Sequence, residues 1–155
     1  MRRPRMVNGP AGRRPTLHVP TVLLADPDEG SRAMIKDALL EGTGPCDLRA
    51  LEDARALDDY LHRRAAFEPP PALVLIDDAL GLDPVRAIKS NAALRRIPVV
   101  VLATRLDHEA VAAAYDAGAN TVIAKPITFL ALVKLMKIFT AYWLDAAALP
   151  QEHLA

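Results

Sequence analysis

Three residues carry charge at the ends of apolar runs. Asp77 closes Ala72-Leu73-Val74-Leu75-Ile76, Asp26 closes Val22-Leu23-Leu24-Ala25, and Lys125 follows Thr121-Val122-Ile123-Ala124. Apolar runs without alternation read as strands buried on both faces, as in a parallel sheet covered by helices. A charged residue at the C-terminal end of such a strand lies at the crevice where open α/β sheets carry their chemistry. Two acids and a lysine therefore converge on one edge of the sheet. Carboxylates are hard oxygen ligands for a divalent cation, and a lysine stabilises negative charge that develops beside it.

Positioning them requires a regular alternation of elements, and the pattern supplies it. Strands are expected at about 21–26, 46–51, 72–77, 98–103 and 120–124. Helices are expected at about 29–41, 53–66, 84–91, 107–117 and 128–148. Gly42-Thr43-Gly44-Pro45 is a strong breaker after the first helix, and Phe67 through Pro71 is a proline-rich turn. Asp83 and Asp107 suit helix caps, Pro84 suits a first helical position, and Gly118 suits a helix end. Five βα units in this order predict an α/β domain with a doubly wound parallel sheet.

The bulk numbers fit one such domain. The chain has 155 residues, is 52% apolar and 25% charged, and has no formal net charge, which is ordinary globular composition. No apolar run approaches the roughly 20 residues of a membrane span, so no membrane partner is expected. Cys46 is alone, which excludes an internal disulfide and fits a reducing, cytoplasmic setting. The arginine-bearing start lacks the apolar core of a signal peptide.

The neutral total hides an asymmetry. Residues 1–20 hold Arg2, Arg3, Arg5, Arg13 and Arg14 and no acid. Removing these five from the 19 basic residues leaves 14 against 19 acids, a net of −5 for residues 21–155. With its prolines and glycines the head is expected to be a disordered basic tail. No aromatic or helical pattern accompanies the arginines, so a solvated head is preferred over nucleic-acid binding. His18, His62, His108 and His153 have no metal-ligand spacing and are read as surface residues. Gly42-Thr43-Gly44 ends a helix rather than opening one, so it is no phosphate loop.

The fifth helix is over-apolar. As one helix of about 1.5 Å per residue it would extend roughly 30 Å. Phe129, Leu132, Val133, Met136, Phe139 and Trp143 form one stripe; Leu135, Ile138, Tyr142 and Ala146 form a second. A helix lying on a sheet needs only one. The second stripe predicts an interface anchored by Leu135, Ile138, Tyr142 and Trp143.

From Thr21 to Pro150 the chain resembles a receiver domain of two-component response regulators, most closely the single-domain regulators that pair with phytochrome-type histidine kinases. The matching stretches are VLLADPDEGSR (22–32), LVLID (73–77), IKSNAALRRIPVVVLAT (88–104), AYDAGANTVIAKPITF (114–129) and YWLDAAALP (142–150). The resemblance implies a flavodoxin-like sheet of order 2-1-3-4-5 with five helices over residues 21–150, flanked by tails 1–20 and 151–155. It gives Asp77 the phosphoacceptor position, Asp26 and Asp77 the metal site, and Lys125 the lysine that pairs with the aspartate and then with the phosphoryl oxygens. It implies a cis Lys125–Pro126 bond. Implied partners are a histidine kinase, possibly of phytochrome type, or a phosphotransfer protein, and a second copy through helices four and five. No output domain is expected after Pro150, and no enzyme is expected.

The chain departs from the family pattern at the site itself. The second acid is Pro27, and Asp28 reaches the metal only if the turn is remodelled. The hydroxyl at the end of strand four is Ala103, and Thr104 should point to the other face. The switch aromatic is Val122, and the loop after Asp77 is short. Asp78 is expected to face solvent rather than pair with Lys125. Two carboxylates without a full ligand set should bind Mg2+ poorly. The expectation is a degenerate receiver in which Asp77 persists while phosphorylation is weak or absent. The alternatives are a conventional Mg2+-dependent phosphoacceptor and, more weakly, nucleic-acid binding through the head.

Overall fold

The computed structural model describes residues 19–42, 45–64 and 69–150. The expected basic head and the 151–155 tail thus lie almost wholly outside the described residues, as do His18 and His153. The described elements run β1 (Thr21–Ala25), α1 (Glu29–Gly42), β2 (Asp47–Leu51), α2 (Ala54–Arg64), β3 (Leu73–Asp77), α3 (Asp83–Ser90), β4 (Val99–Ala103), α4 (His108–Asp116), β5 (Thr121–Ala124) and α5 (Phe129–Thr140). All strand pairs are parallel, and the sheet order is β2-β1-β3-β4-β5. This is the flavodoxin-like receiver arrangement. No described helix is long and apolar enough to cross a membrane.

The unalternating runs fold as expected. Every residue of β3 and β4 is buried, whereas β2 and β5 at the sheet edges are partly exposed. Alternate side chains feed two cores. Leu23, Ala25, Val74, Ile76, Val99 and Val101 meet Leu57 and Leu61 of α2, Val85 and Ile88 of α3 and Ala114 of α4. Val22, Leu24, Leu73, Leu75, Val100 and Leu102 meet Ile35 and Leu39 of α1 and Leu132, Met136 and Phe139 of α5. Helices on both faces leave the C-terminal strand ends as the open edge.

Side-chain caps fix where several helices start. Asp28, Asp53, Asp107 and Thr128 accept from the amides of Ser31, Ala56, Ala110 and Ala131 at 2.7, 2.7, 2.8 and 3.2 Å. Helix α3 differs from expectation. It starts one residue earlier, with Leu82 at the cap position and no side-chain cap. Asp83 falls inside the first turn, where a negative charge still suits the helix dipole, and pairs with Arg86 at 3.0 Å.

Gly118 ends α4 at φ +108°. A Cβ there would lie 2.7 Å from Cγ of Lys89. The Lys89 ammonium caps the turn before β4, donating to the carbonyls of Arg95 and Ile97 at 3.0 and 2.7 Å. Burial holds its pKa below the ordinary lysine value.

The fifth helix is found close to its expected span but changes character near its end. Helix α5 ends at Thr140, and Ala141–Ala146 form a π-helical segment closed by the Ala147 amide on the Tyr142 carbonyl at 2.7 Å. Thr140 sits at the change from α to π. Its hydroxyl donates back to the Met136 carbonyl at 2.8 Å, a bond that loosens and bends helices. The wider turn sets Tyr142 and Trp143 edge to face, with ring centres 5.0 Å apart.

Candidate functional site

Asp77 closes β3 opposite Leu102 of β4 and is 3% exposed. Its Oδ1 accepts from the amide of Ala79 at 2.9 Å, which caps the single 3-10 turn Asp78–Leu80. Asp26 follows β1 and is 1% exposed. Its amide continues the ladder to the Leu51 carbonyl at 3.0 Å, and its Oδ1 accepts from the Asp28 amide at 2.8 Å. Lys125 follows β5, its amide bonded to the Ala103 carbonyl at 2.9 Å. The ladder thereby aims the lysine across two strand ends. Its Nζ lies 2.9 Å from Oδ2 of Asp26 and 2.5 Å from Oδ2 of Asp77. The structure brings the three sequence-derived residues into one cluster.

Such a cluster must pair internally, because an unpaired buried charge is strongly unfavourable. Burial opposes ionisation of Asp26, but hydrogen bonds from Ser31, Lys125 and the Asp28 amide outweigh it and hold the carboxyl below its usual value. For Lys125, burial favours the neutral amine, while hydrogen bonds and charge from Asp77 and Asp26 prevail and raise its pKa. Both shifts favour an ionised Asp26 beside the Lys125 ammonium.

The residues present offer a divalent cation two carboxylates, Asp26 and Asp77, and no acid at position 27. Magnesium demands near-octahedral oxygen coordination. Here each carboxylate oxygen already accepts a protein hydrogen bond: Asp26 from Asp28, Ser31 and Lys125, Asp77 from Ala79 and Lys125. Asp28 does not move in; its carboxylate is exposed and caps α1 through Ser31. Pro27 offers no ligand. Among the described residues no three His, Cys, Asp or Glu side chains are grouped to hold a metal. The Lys125 ammonium stands between the two acids.

The departures around the cluster have defined consequences. Ala103 ends β4 buried and presents no hydroxyl. Thr104 does point away from Asp77, to Asp78. Asp78 lies at the surface rather than on Lys125, as expected, and there its carboxylate accepts from the Thr104 amide at 2.8 Å and from its hydroxyl at 3.1 Å. Val122 packs against the core cluster to which α2, α3 and α4 contribute. No described peptide bond is cis, so Lys125–Pro126 is trans, the isomer favoured by about 0.5–1 kcal/mol when nothing selects otherwise.

Sequence reasoning missed Ser31 and Arg32. The Ser31 hydroxyl donates to Oδ2 of Asp26, and Arg32 Nη1 donates to the Asp26 carbonyl at 2.8 Å. The available signal was the Asp28 cap, which places residues 31 and 32 in the first turn beneath Asp26. His62 and His108 are exposed and take no part in the cluster.

A second feature lies on the far side of the domain. Leu135, Ile138, Tyr142 and Trp143 line one shallow groove of about 190 Å³ beside the edge strand β5. Ile138 is 69% and Tyr142 57% exposed, while Leu135 and Trp143 are half-buried.

An acid at the end of β1, another at the end of β3 and a lysine after β5, on a 2-1-3-4-5 sheet, define the class of receiver domains. No protein-family model matches the chain. A curated relative does: Response regulator Rcp1 of Synechocystis sp. is 30% identical over 135 residues, covering 83% of this chain and 92% of that one. Among solved structures, the phosphorylated cyanobacterial phytochrome response regulator RcpA is 29% identical with a TM-score of 0.78, over 86% of this chain and 99% of its own. The Mn2+-bound form of Rcp1 is 28% identical with a TM-score of 0.74, over 84% and 99%. The chain belongs to the response regulator receiver family of two-component signalling, whose members are signalling proteins rather than metabolic enzymes.

Proposed function

We propose that this protein is an atypical response regulator that signals by docking and self-association, with weak or absent phosphorylation at Asp77. The observation that carries this reading is the depleted surround of Asp77: Pro27 offers no ligand, Asp28 is exposed and caps α1 through Ser31, and Ala103 presents no hydroxyl. A carboxylate attacks an anionic phosphoryl group poorly unless a cation screens the approach. Lys125 is held on Asp77 and must leave it before it can serve phosphoryl oxygens. Ala103 withdraws a further donor; a hydrogen bond to a charged group is worth about 1.5–3 kcal/mol.

The partner we propose is a histidine kinase, of phytochrome type, or a phosphotransfer protein. The support is likeness: RcpA is a phytochrome response regulator. The homodimer we propose uses the groove of Leu135, Ile138, Tyr142 and Trp143, where large apolar side chains stand exposed on α5 and beyond.

A second reading keeps Asp77 as a working phosphoacceptor. Its Oδ2 would attack phosphorus as the bond to the donor breaks, and Lys125 would transfer to the phosphoryl oxygens. The neighbouring structure of a phosphorylated relative favours it. Intact-mass spectrometry after a small acyl phosphate and Mg2+, with Asp77→Asn as control, separates the two. The atypical reading expects no stable adduct; an adduct lost in Asp77→Asn would overturn it.

A further inference from the structure

The loop after β4 is tied down by a carboxylate of the protein itself. Asp78 follows Asp77 directly, yet its side chain leaves the cluster and crosses to the end of β4. One oxygen accepts from the Thr104 amide at 2.8 Å, and both lie within 3.3 Å of the Thr104 hydroxyl. The two residues are 26 apart in sequence, and the contact joins the turn after β3 to the segment leading into α4. Gly81 at φ +72° ends that turn, its amide bonded to the Asp78 carbonyl at 3.0 Å. Backbone and side chain of Asp78 are therefore both fixed.

The chemistry of this contact is that of an oxyanion received by a strand-end amide and hydroxyl. Ala103 cannot supply a hydroxyl to a group on Asp77, whereas Thr104 has one and spends it on Asp78. We infer that Asp78 acts as a built-in anion that holds the β4–α4 segment in one arrangement whatever the state of Asp77. This rests on the receiver reading and names its regulation: the segment a phosphoryl group would recruit is already occupied. Output from the α4 side would then be constitutive, and control would lie in partner availability.

The test is amide exchange at Thr104, read by NMR or by mass spectrometry on peptides spanning residues 99–107, with and without acyl phosphate and Mg2+. In the native chain Thr104 should be protected and unmoved by the phosphodonor. Asp78→Ala should raise its exchange by about tenfold or more, since a charge-assisted bond is lost. Asp78→Asn keeps one acceptor oxygen and should fall between. Thr104→Val retains the amide bond and loses only the hydroxyl, so it should exchange more slowly than Asp78→Ala. Unchanged Thr104 exchange in both Asp78 variants, with the fold intact by circular dichroism, would overturn the clamp. So would a phosphodonor-driven change at Thr104 in the native chain. A stable adduct on Asp77 with Thr104 still protected would remove the weak-phosphorylation reading and leave the clamp standing.

Discussion

Lys125 Nζ lies 2.9 Å from Oδ2 of Asp26, a residue 99 positions away. That contact spans the sheet from the end of β1 to the end of β5, across β3 and β4. It closes the open edge with an ion pair at the strand ends.

Removing the lysine should expose how much the cluster depends on it. Lys125→Ala leaves two carboxylates at 1% and 3% exposure facing each other with no cation. Breaking a buried pair costs about 3–5 kcal/mol, and the partial exposure of Lys125 brings the expected loss nearer 2–3 kcal/mol. Urea unfolding measures it. Adding Asp77→Asn to Lys125→Ala should recover a substantial part; no recovery would mean that the loss comes from the lysine stem rather than the charge.

The pKa directions set the pH dependence. Asp26 is lowered in the folded state, so its contribution is present above the unfolded value of about 3.9 and fades as pH falls through the folded one. Lys125 is raised, so its contribution is complete below the unfolded value of about 10.4 and is lost as pH climbs through the folded one. Stability should be level between about pH 5 and 9 as far as this cluster is concerned. Chemical denaturation across pH should show an acid limb that shrinks in Asp26→Asn.

Metal should add little. A cation bound at a hundred times its Kd stabilises the fold by about 2.7 kcal/mol. With all four carboxylate oxygens engaged, 10 mM Mg2+ should move stability by less than about 0.5 kcal/mol. A larger rise, abolished by Asp26→Asn, would show that Lys125 yields its place.

Gly118 is fixed by two independent constraints. At φ +108° an L side chain is strained, and the Cβ of Gly118→Ala would press on Lys89 at its stem rather than its mobile end. The expected cost is about 1–3 kcal/mol, visible as a lower urea midpoint with an unchanged slope.

The strands and the meeting of Asp26, Asp77 and Lys125 were legible because unalternating apolar runs locate buried strands, and strand ends locate the crevice; the order 2-1-3-4-5 came from the family resemblance. What stayed hidden depended on side-chain reach. Ser31 and Arg32 act on Asp26 through the first turn of α1, a contact no hydrophobic period encodes. Asp78 has the same composition signal whether it faces water or Thr104. The fifth helix was read as uniform because its stripes continue past Thr140; the back-bonded hydroxyl at the change to the π segment leaves no mark on the apolar pattern.

The π segment bears on the last prediction, which concerns self-association. The π segment half-buries Trp143 against the α1–α5 core while Tyr142 stays open beside Ile138. Trp143→Ala would therefore weaken the fold as well as any interface. Ile138 is the cleaner probe: at 69% exposure its replacement should change monomer stability by no more than about 0.5 kcal/mol. Ile138→Glu places a charge at the rim of the groove, where a second copy would have to desolvate it without a partner. Sedimentation at tens of micromolar should find the native chain dimeric and Ile138→Glu monomeric, both with the same denaturation midpoint once concentration dependence is removed. A native chain that sediments as a monomer would refute the dimer, and the exposed face of α5 would then belong to a different partner.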